Sequence, residues 1–284
     1  MRAVADVMGR VSNARIGTTS EICYEHEVQA NGKEYVKEIK KISFDGEVFC
    51  PLCERNRTTQ ELSDHEDMKI KQSMNRRNYN AFHNQSVLTD IGLLDASFGS
   101  YEAGEPETET AVNKKRALDA FDNYKQGKMF NTWFTGVPGV GKSHLAMSIL
   151  RNLNESGEKD KSCLFVSVDE MLSRIRNSFD DKESRYTEHY FSNLLSSVNF
   201  LVLDDLGAET GATGTDKRAS DFTMRVLYAI ANGRRDKSTI VTSNLSKAEL
   251  VKMYDGKLVS RLMGAMYKIH FKNTVDKRIR EVEF

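Results

Sequence analysis

The chain has 284 residues, of which 39% are hydrophobic and 29% are charged. This composition excludes disordered, collagen-like and low-complexity proteins, and the length predicts about two folded domains. No apolar run approaches the ~18 residues of a membrane span, and the first residues lack the apolar core of a signal peptide, so we expect a soluble, cytoplasmic protein.

The charge is distributed unevenly, although 41 Lys and Arg balance 41 Asp and Glu to a formal net charge of zero. Residues 1–90 hold 13 basic and 14 acidic side chains, residues 91–205 hold 13 and 18, and residues 206–284 hold 15 and 9. Phosphate meets a local patch of charge and not the sum over the protein. The neutral total therefore does not exclude a nucleic-acid partner. An ordinary solvated basic face explains the excess of basic residues in 206–284 equally well.

Four residues near the amino terminus have the spacing of zinc ligands. Cys23 and His26 form one pair, and Cys50 and Cys53 form a second, each with two intervening residues. Two such turns fill the four positions of a closed structural zinc site, which leaves no position for catalysis. His65 is an alternative fourth ligand. Unrelated free thiols are the alternative interpretation, and a disulfide is not expected in a cytoplasmic protein.

The same region carries turn signals between short apolar segments. Asn-Gly at 31–32 and Asp-Gly at 45–46 are typical of hairpins, and residues 40–44 and 47–49 suit strands. We therefore predict a small, β-rich, zinc-binding module over residues 1–56. Cys163 lies in a separate apolar run and is expected to be a buried strand thiol.

Residues 57–90 are predicted to form a linker helix, because residues 58–84 are polar and contain no glycine or proline. Four basic side chains fall within residues 69–77, and Tyr79 and Phe82 follow them. Such a segment could bind nucleic acid through phosphate contacts and base stacking. A solvated connecting helix is the favoured interpretation.

A phosphate-binding motif follows a predicted helix over residues 113–125 and a predicted strand over residues 129–135. Residues 136–143 fit GxxxxGK[ST], and a helical pattern follows at once. The glycines allow backbone N–H groups to point at phosphate oxygens, while Lys142 reaches the β- and γ-phosphates and Ser143 ligates Mg²⁺. The predicted nucleotide-binding residues of this segment are Gly136, Val137, Pro138, Gly139, Val140, Gly141, Lys142, Ser143 and His144.

Two further predicted strands end in polar residues. Residues 200–205 are apolar up to Asp204 and Asp205, and residues 238–244 end at Asn244. The carboxyl ends of parallel strands meet at one edge of a sheet, where ligands bind. Asp204 is expected to hold the water shell of Mg²⁺, Asp205 to activate water as a general base, and Asn244 to orient that water or contact the γ-phosphate.

Three arginines follow in the last part of the chain. Arg261 lies in a helical context, and Arg278 and Arg280 lie close to the last residue. Their spacing does not say whether they contact the nucleotide of their own subunit or that of a neighbour. Ordinary surface charge is the alternative.

These motifs together resemble one known family. The phosphate-binding segment 136–146 with segments 203–209, 242–244 and 260–262 resembles the AAA+ ATPases of the DnaC/DnaI helicase-loader family, whose relatives include the IstB transposition helpers. The resemblance covers roughly residues 85–284. It implies an α/β fold, an AAA+ P-loop αβα sandwich with a parallel sheet over residues 91–284. A zinc-binding amino-terminal module resembles the DnaI-type and phage loaders more than IstB.

The resemblance also implies roles for individual residues. Asn244 matches the sensor-1 position, and Arg261 matches the arginine finger offered to an adjacent subunit. Arg278 resembles the sensor-2 arginine, with the arginine two residues later as the alternative. Arg176 and Phe179 resemble a basic and aromatic pair that faces single-stranded DNA, which suits one phosphate contact and one stacked base. A helix-end core residue is the alternative for Phe179.

The function implied by the resemblance is helicase loading. The family's ATPases use ATP and Mg²⁺, bind a replicative hexameric DNA helicase through the amino-terminal domain, and deliver it onto single-stranded DNA during replication initiation. Their ATPase domains assemble side by side. Asp205 stands where many AAA+ proteins have glutamate, so slow hydrolysis is expected. Two alternatives are an IstB-like transposition helper that binds duplex DNA and recruits a transposase, and a nucleotide-gated adaptor, such as a phage protein, that binds the host helicase or loader with little turnover.

Overall fold

The chain divides into two compact units, residues 1–72 and residues 73–284. None of the helices in the described part of the chain combines the length and the apolarity that crossing a bilayer requires. The computed structural model describes residues 16–30, 32–44, 46–157, 159–210 and 218–277.

The first unit contains short antiparallel strands. β1 pairs with β4 and β4 with β5, while β2 and β3 form a separate hairpin. Gly32 and Gly46 have φ values of 72° and 91° at the two tight connections, a conformation that favours glycine. The prediction of a β-rich module with hairpins at these turns is confirmed. The strands are β1 Ile16–Cys23, β2 Glu27–Ala30, β3 Lys33–Val36, β4 Ile39–Phe44 and β5 Glu47–Phe49.

A single long helix, α1 Pro51–Gln85, follows these strands and contains the boundary between the two units. It begins at Pro51, which suits a first helical position because proline has no N–H to leave unpaired. Most of its side chains are exposed, as expected for a solvated helix. Phe82, however, is only 1% exposed, so it packs in the core of the second unit and does not offer a ring to a nucleic acid.

The second unit is built on a five-stranded sheet in which all neighbouring strands are parallel, in the order β10-β6-β9-β8-β7. The strands are β6 Asn131–Thr135, β7 Cys163–Ser167, β8 Phe200–Asp204, β9 Ser238–Ser243 and β10 Met266–His270. The helices are α2 Glu109–Lys125, α3 Lys142–Glu155, α4 Val168–Asn177, α5 Glu188–Ser197, α6 Asp221–Gly233, α7 Lys247–Met253 and α8 Gly256–Leu262.

Both faces of this sheet are covered. Along β8, Leu201 and Leu203 enter one hydrophobic cluster, while Phe200 and Val202 enter a second one. Successive side chains of a strand point to opposite faces, so the two clusters are the two faces of one sheet. The first contains residues of α4 to α8, and the second contains residues of α2 and α3. This arrangement confirms the predicted αβα sandwich, and Cys163 in β7 is a buried strand thiol as expected.

Candidate functional site

A cavity of about 670 Å³ opens at the carboxyl ends of the parallel strands in the second unit. It is lined by the loop that precedes α3, by the ends of β7, β8 and β9, and by the segments around residues 89–93 and 100–102. The predicted site residues that line it are Pro138, Gly139, Gly141, Lys142, Ser143, His144, Asp204, Asp205 and Asn244.

The glycines of the phosphate-binding loop are required by its shape. Gly136, Gly139 and Gly141 have φ values of 146°, 75° and 92°. A Cβ on Gly136 would lie 2.7 Å from Phe271, and one on Gly141 would lie 2.5 Å from the Tyr101 ring. Gly141 precedes the first residue of α3 and makes no side-chain cap, so that the first N–H groups of the helix remain as donors toward the cavity.

Lys142 is held at the bottom of this loop. Its side chain is only 6% exposed, and Nζ donates to the carbonyl oxygens of Gly136 and Val137 at 2.8 and 2.7 Å. A third bond joins Nζ to Asn244 Oδ1 at 2.7 Å. The loop carbonyls therefore fix the lysine that the sequence predicts to meet phosphate.

The two acidic residues at the end of β8 have different hydrogen-bond partners. Asp204 is buried, and its Oδ1 accepts from Thr242 Oγ1 at 2.7 Å. Burial raises the pKa of Asp204, an effect that hydrogen bonds with Ser143 and Thr242 oppose. Asp205 has a φ of 55°, unusual for a residue with a Cβ, and its N–H donates to the same Thr242 hydroxyl at 2.8 Å. The Thr242 hydroxyl thus bonds the carboxylate of Asp204 and the backbone N–H of Asp205.

Asn244 bridges the lysine and the second acid. Its Oδ1 accepts from Lys142, and its Nδ2 donates to Asp205 Oδ1 at 2.8 Å. The bonds assign the amide orientation, because only the nitrogen can donate to a carboxylate. The sequence-predicted residues Lys142, Asp205 and Asn244 are therefore joined in one chain of hydrogen bonds.

A second wall of the cavity is formed by an aromatic residue and a lysine from the end of the described chain. Tyr101 donates to the Val140 carbonyl at 3.1 Å, and burial raises the pKa of Tyr101 to about 12. Lys277 Nζ lies 4.7 Å from the centre of the Tyr101 ring, and the backbone N–H of Lys277 donates to the Gly139 carbonyl at 3.2 Å. His144 lies beside the same ring and bonds the Ser97 carbonyl at 2.8 Å.

The segment that carries Lys277 is anchored by Glu109, the first residue of α2. The Glu109 carboxylate accepts from the backbone N–H groups of Lys272, Asn273 and Thr274, at 2.7 to 3.0 Å, and from the Thr274 hydroxyl. Burial acts to raise the pKa of Glu109, but these bonds outweigh it and lower the pKa to about 2. The segment after β10 is thereby held across the phosphate-binding loop.

The structure describes one of the three arginines predicted in the last part of the chain, Arg261. Arg261 lines a separate cavity of about 460 Å³, together with residues at the start of β6 and between α6 and β9. Its Nε donates to Asn232 Oδ1 at 2.8 Å and its Nη1 to the Tyr228 hydroxyl at 2.7 Å. Arg278, predicted as the sensor-2 arginine, lies outside the described residues, as does its alternative Arg280.

The predicted DNA-binding pair lies on the surface with two residues of α6. Phe179 is 61% exposed and packs edge-on against Phe222, with ring centres 5.6 Å apart. Arg176 and Arg225 lie 5.7 and 5.9 Å from the centre of the Phe222 ring. This exposure argues against the alternative that Phe179 is a core residue.

The predicted zinc ligands of the first unit converge. The ligand atoms of Cys23, His26, Cys50 and Cys53 all lie within 4.8 Å of one another. The Sγ atoms of Cys23 and Cys53 are 3.7 Å apart, and Nε2 of His26 is 3.1 Å from Cys50 Sγ and 3.3 Å from Cys53 Sγ. Ligands about 2.0 to 2.3 Å from a tetrahedral zinc ion lie about 3.5 to 3.8 Å from one another, so the cluster fits zinc. The fourth member is His26, while His65 is exposed on α1.

The chemistry of the Cys50 thiol also suits a metal ligand. Burial acts to raise the pKa of Cys50, but hydrogen bonds from the backbone N–H groups of Cys53 and Leu52 and from His26 lower it to about 7. Cys50 immediately precedes α1, and the positive end of a helix favours a thiolate. The thiolate is the form that binds zinc.

The parallel sheet, the glycine loop before α3 and the acids at the end of β8 define a P-loop nucleotide-binding protein. A family model described as IstB-like ATP binding protein matches residues 61–274. The chain therefore belongs to the IstB-like ATP-binding family, and the 670 Å³ cavity is its candidate ATP site.

Several relatives carry a more specific description. Replicative helicase loader DnaC of Escherichia coli (strain K12) is 26% identical over 196 residues, which are 69% of this chain and 70% of that protein. The protein of the same name from Buchnera aphidicola subsp. Acyrthosiphon pisum is 28% identical over 194 residues, 66% of this chain and 72% of its own. A crystal structure of the DnaC helicase loader matches with a TM-score of 0.51 at 24% identity, covering 64% of this chain and all of that one, which shows a shared fold.

Some residues of the site were not predicted from the sequence. Thr242 was predicted only as part of a strand, and Tyr101 was not singled out. Lys277 gave no motif signal, since its position depends on β10 and on the anchor at Glu109. A polar residue in the last positions of a strand that neighbours β8 is the one signal that could have found Thr242.

Proposed function

We propose that this protein is an ATP-dependent loader that binds a replicative hexameric DNA helicase and delivers it onto single-stranded DNA during replication initiation. The observation that carries the proposal is the hydrogen-bonded chain Lys142–Asn244–Asp205 in the ATP cavity. It stands in a sequence whose relatives, aligned across this domain, include proteins named replicative helicase loaders.

Phosphate binding is the part of this proposal that the loop geometry supports most directly. The backbone N–H groups of the loop and of the first turn of α3 surround the triphosphate, and Lys142 donates to its β- and γ-oxygens. Lys142 then exchanges its bonds with the Gly136 and Val137 carbonyls for bonds with phosphate. Because the positive charge of Lys142 is already held in the cavity, the side chain needs to move little when the nucleotide binds.

Ser143 and Asp204 are the residues that would hold Mg²⁺. A hydroxyl and a carboxylate are the oxygen ligands that this ion prefers, and the hydrogen bond between Ser143 and Asp204 brings the two together. When bound, the ion neutralises charge on the phosphates and helps to orient them. Its positive charge also favours the ionised form of Asp204, whose pKa burial otherwise raises.

Asp205 and Asn244 act on the attacking water in this proposal. Asp205 accepts the proton of the water as a general base, and Asn244 fixes the direction of the carboxylate through the bond from Nδ2. The two carboxylates have different partners, since that of Asp204 accepts from Thr242 and that of Asp205 from Asn244. The two acids therefore have different tasks, the first at the metal and the second at the water.

Turnover depends on a second copy of the chain. We assign to Arg261 the role of reaching the γ-phosphate bound to a neighbouring subunit, which would couple hydrolysis to assembly. Its place on the 460 Å³ cavity, at the start of β6, supports a contact outside its own subunit. With its aspartate as the base, the isolated chain is expected to hydrolyse ATP slowly.

Single-stranded DNA is proposed to bind along the surface that carries Phe179. An exposed ring stacks on a base, and Arg176 contacts phosphate. Phe222 and Arg225 extend the same surface, since both arginines lie over the Phe222 ring. A surface on which aromatic and cationic side chains alternate binds single-stranded DNA with little sequence preference, as a loader requires.

The zinc-binding cluster gives the first unit a rigid frame for a protein partner. We propose that Cys23, His26, Cys50 and Cys53 hold a structural zinc ion and that the unit they stabilise contacts the helicase. Tyr35 and Val36 on β3 are about half exposed, so this unit presents apolar side chains to a partner.

The experiment that tests the proposed function is size-exclusion chromatography of the full chain mixed with the replicative helicase of its organism, with and without ATP. We expect co-elution with the helicase and an additional ATP-dependent association with single-stranded DNA. Filaments that form only on long duplex DNA, without helicase binding, would favour a transposition helper. Helicase binding without phosphate release in the presence of single-stranded DNA would favour a nucleotide-gated adaptor.

A further inference from the structure

Arg261, in the last turn of α8, is held by residues of α6. Nε donates to Asn232 Oδ1 at 2.8 Å, and Nη1 donates to the Tyr228 hydroxyl at 2.7 Å and to the Lys257 carbonyl at 3.2 Å. The guanidinium also lies over the Tyr228 ring, 4.7 Å from its centre. A long flexible side chain is therefore fixed at several points, although it is only half-buried.

The position of Arg261 excludes a contact with the nucleotide of its own subunit. The end of α8 is tied to the beginning of β6, because Asn131 Nδ2 and Trp133 Nε1 both donate to the Leu262 carbonyl at 3.1 Å. The ATP cavity lies at the other end of the same strands. From the first to the last Cα, the five residues of β6 span about 13 Å at ~3.3 Å per residue, which is further than an arginine side chain reaches.

The groups that hold Arg261 do not neutralise it. An amide oxygen, a phenol and a backbone carbonyl are neutral acceptors, and an aromatic face attracts a cation without cancelling its charge. By contrast, Arg225, which lies on α6 about two turns before Asn232, forms an ion pair with Glu188, with Nη2 and Oε2 2.9 Å apart. Nη2 of Arg261 makes none of the three bonds to α6 and α8, which suits a donor reserved for an anion.

We propose that Tyr228 and Asn232 are positioning residues that hold Arg261 extended and charged for contact with the phosphates of ATP bound to a second copy of this chain. The inference rests on the proposed function, since it assumes that Arg261 acts between subunits. It adds that two side chains of α6 fix the direction in which the Arg261 side chain extends. The cost of ordering the side chain is met before the subunits associate, so that the contact forms without a further search among rotamers.

The test is steady-state ATP hydrolysis by the full chain over a range of protein concentrations, for Arg261→Ala, Asn232→Ala, Tyr228→Phe and the combinations with Arg261→Ala. Tyr267→Phe is a matched control, because Arg116 lies 4.9 Å from the centre of the Tyr267 ring and the contacts of that tyrosine run through its ring. ATP affinity, measured with a fluorescent analogue, and the unfolding temperature are recorded for each variant.

We expect Tyr228→Phe and Asn232→Ala each to lower kcat by about threefold to tenfold at high protein concentration, with ATP affinity and unfolding temperature within the range of the control. Neither change should lower kcat further when Arg261 is already alanine. If Arg261→Ala lowers kcat while both α6 variants behave like the control, the positioning role is wrong and the arginine role stands. If Arg261→Ala itself leaves kcat unchanged, the role of Arg261 in the proposed function is wrong as well.

Discussion

The side-chain amide of Asn244 donates to Asp205 Oδ1 at 2.8 Å, while its carbonyl oxygen accepts from Lys142 Nζ at 2.7 Å. One amide therefore contacts the residue proposed to hold phosphate and the residue proposed to activate water. When phosphate draws Lys142 away, Asn244 loses one partner and keeps the other. This relationship links nucleotide binding to the orientation of Asp205.

Replacing Asn244 tests this link. In Asn244→Ala, Asp205 loses the donor that directs its carboxylate, so we expect the rate of ATP hydrolysis to fall by roughly tenfold to a hundredfold. The affinity for ATP should change little, because the Gly136 and Val137 carbonyls still hold Lys142 in the empty cavity, from which it can move to phosphate. Single-turnover hydrolysis and equilibrium nucleotide binding measure the two effects. Asn193→Ala, on the exposed face of α5, is the control, and equal losses in both variants would contradict the prediction.

Thr242 is a second test, because its hydroxyl serves both acids. Thr242→Val has nearly the same shape but removes a donor to Asp204 and an acceptor for the Asp205 N–H, both beside a buried strand end. We expect the free energy of unfolding to fall by about 1 to 3 kcal/mol and hydrolysis to fall with it. Urea denaturation measures the first and phosphate release the second. Thr242→Ser, which keeps the hydroxyl, should preserve both, and a Ser variant as impaired as the Val variant would exclude the hydroxyl as the cause.

The zinc site predicts a metal content of one zinc ion per chain, measured by atomic emission on protein purified without chelator. His26→Ala and Cys50→Ser should each lower the zinc content sharply, since both remove a member of the cluster. His65→Ala and Cys163→Ser are matched controls, because His65 is exposed and Cys163 is buried in β7. Zinc lost in His65→Ala and retained in His26→Ala would show that the ligand assignment is wrong.

The lowered pKa of Glu109 predicts that the stability of the fold depends on pH. Its pKa in the folded chain is lowered to about 2 from an ordinary 4.5, so its carboxylate stabilises the fold above pH 4.5 and loses this effect as the pH falls toward 2. Glu109→Gln should therefore lower the unfolding temperature at pH 7, and the difference from the unmodified chain should shrink at pH 3 and below. Glu107→Gln, an exposed neighbour, is the control. A difference that is constant over this pH range would contradict the role of the ionised carboxylate.

Much of the ATP site could be predicted because its chemistry is local in the sequence. The loop before Lys142 and the acids after β8 are contiguous motifs, and parallel strands bring their ends together. The zinc cluster was predicted for the same reason, since each pair of ligands lies within one turn. The choice between His26 and His65 needed the structure, because sequence spacing alone does not give the direction of a side chain on α1.

The residues that were missed depend on contacts between distant parts of the chain. Thr242 meets Asp204 only through the register that pairs Leu203 with Val241. β10 mixes exposed and buried residues and pairs with a strand about 130 residues earlier, so no local pattern marks it. The anchoring of Arg261 by Tyr228 and Asn232 likewise joins two helices, and a helical pattern around Arg261 contains no trace of it.

The central claim is that ATP in this cavity drives the delivery of a helicase onto single-stranded DNA. The most direct measurement is the retention of the replicative helicase on circular single-stranded DNA after isolation of the DNA, with the chain and ATP present or absent. We predict retention that requires both the chain and ATP and that is lost in Lys142→Ala, although this variant still binds the helicase. Equal retention with Lys142→Ala, or retention independent of the chain, would contradict the account.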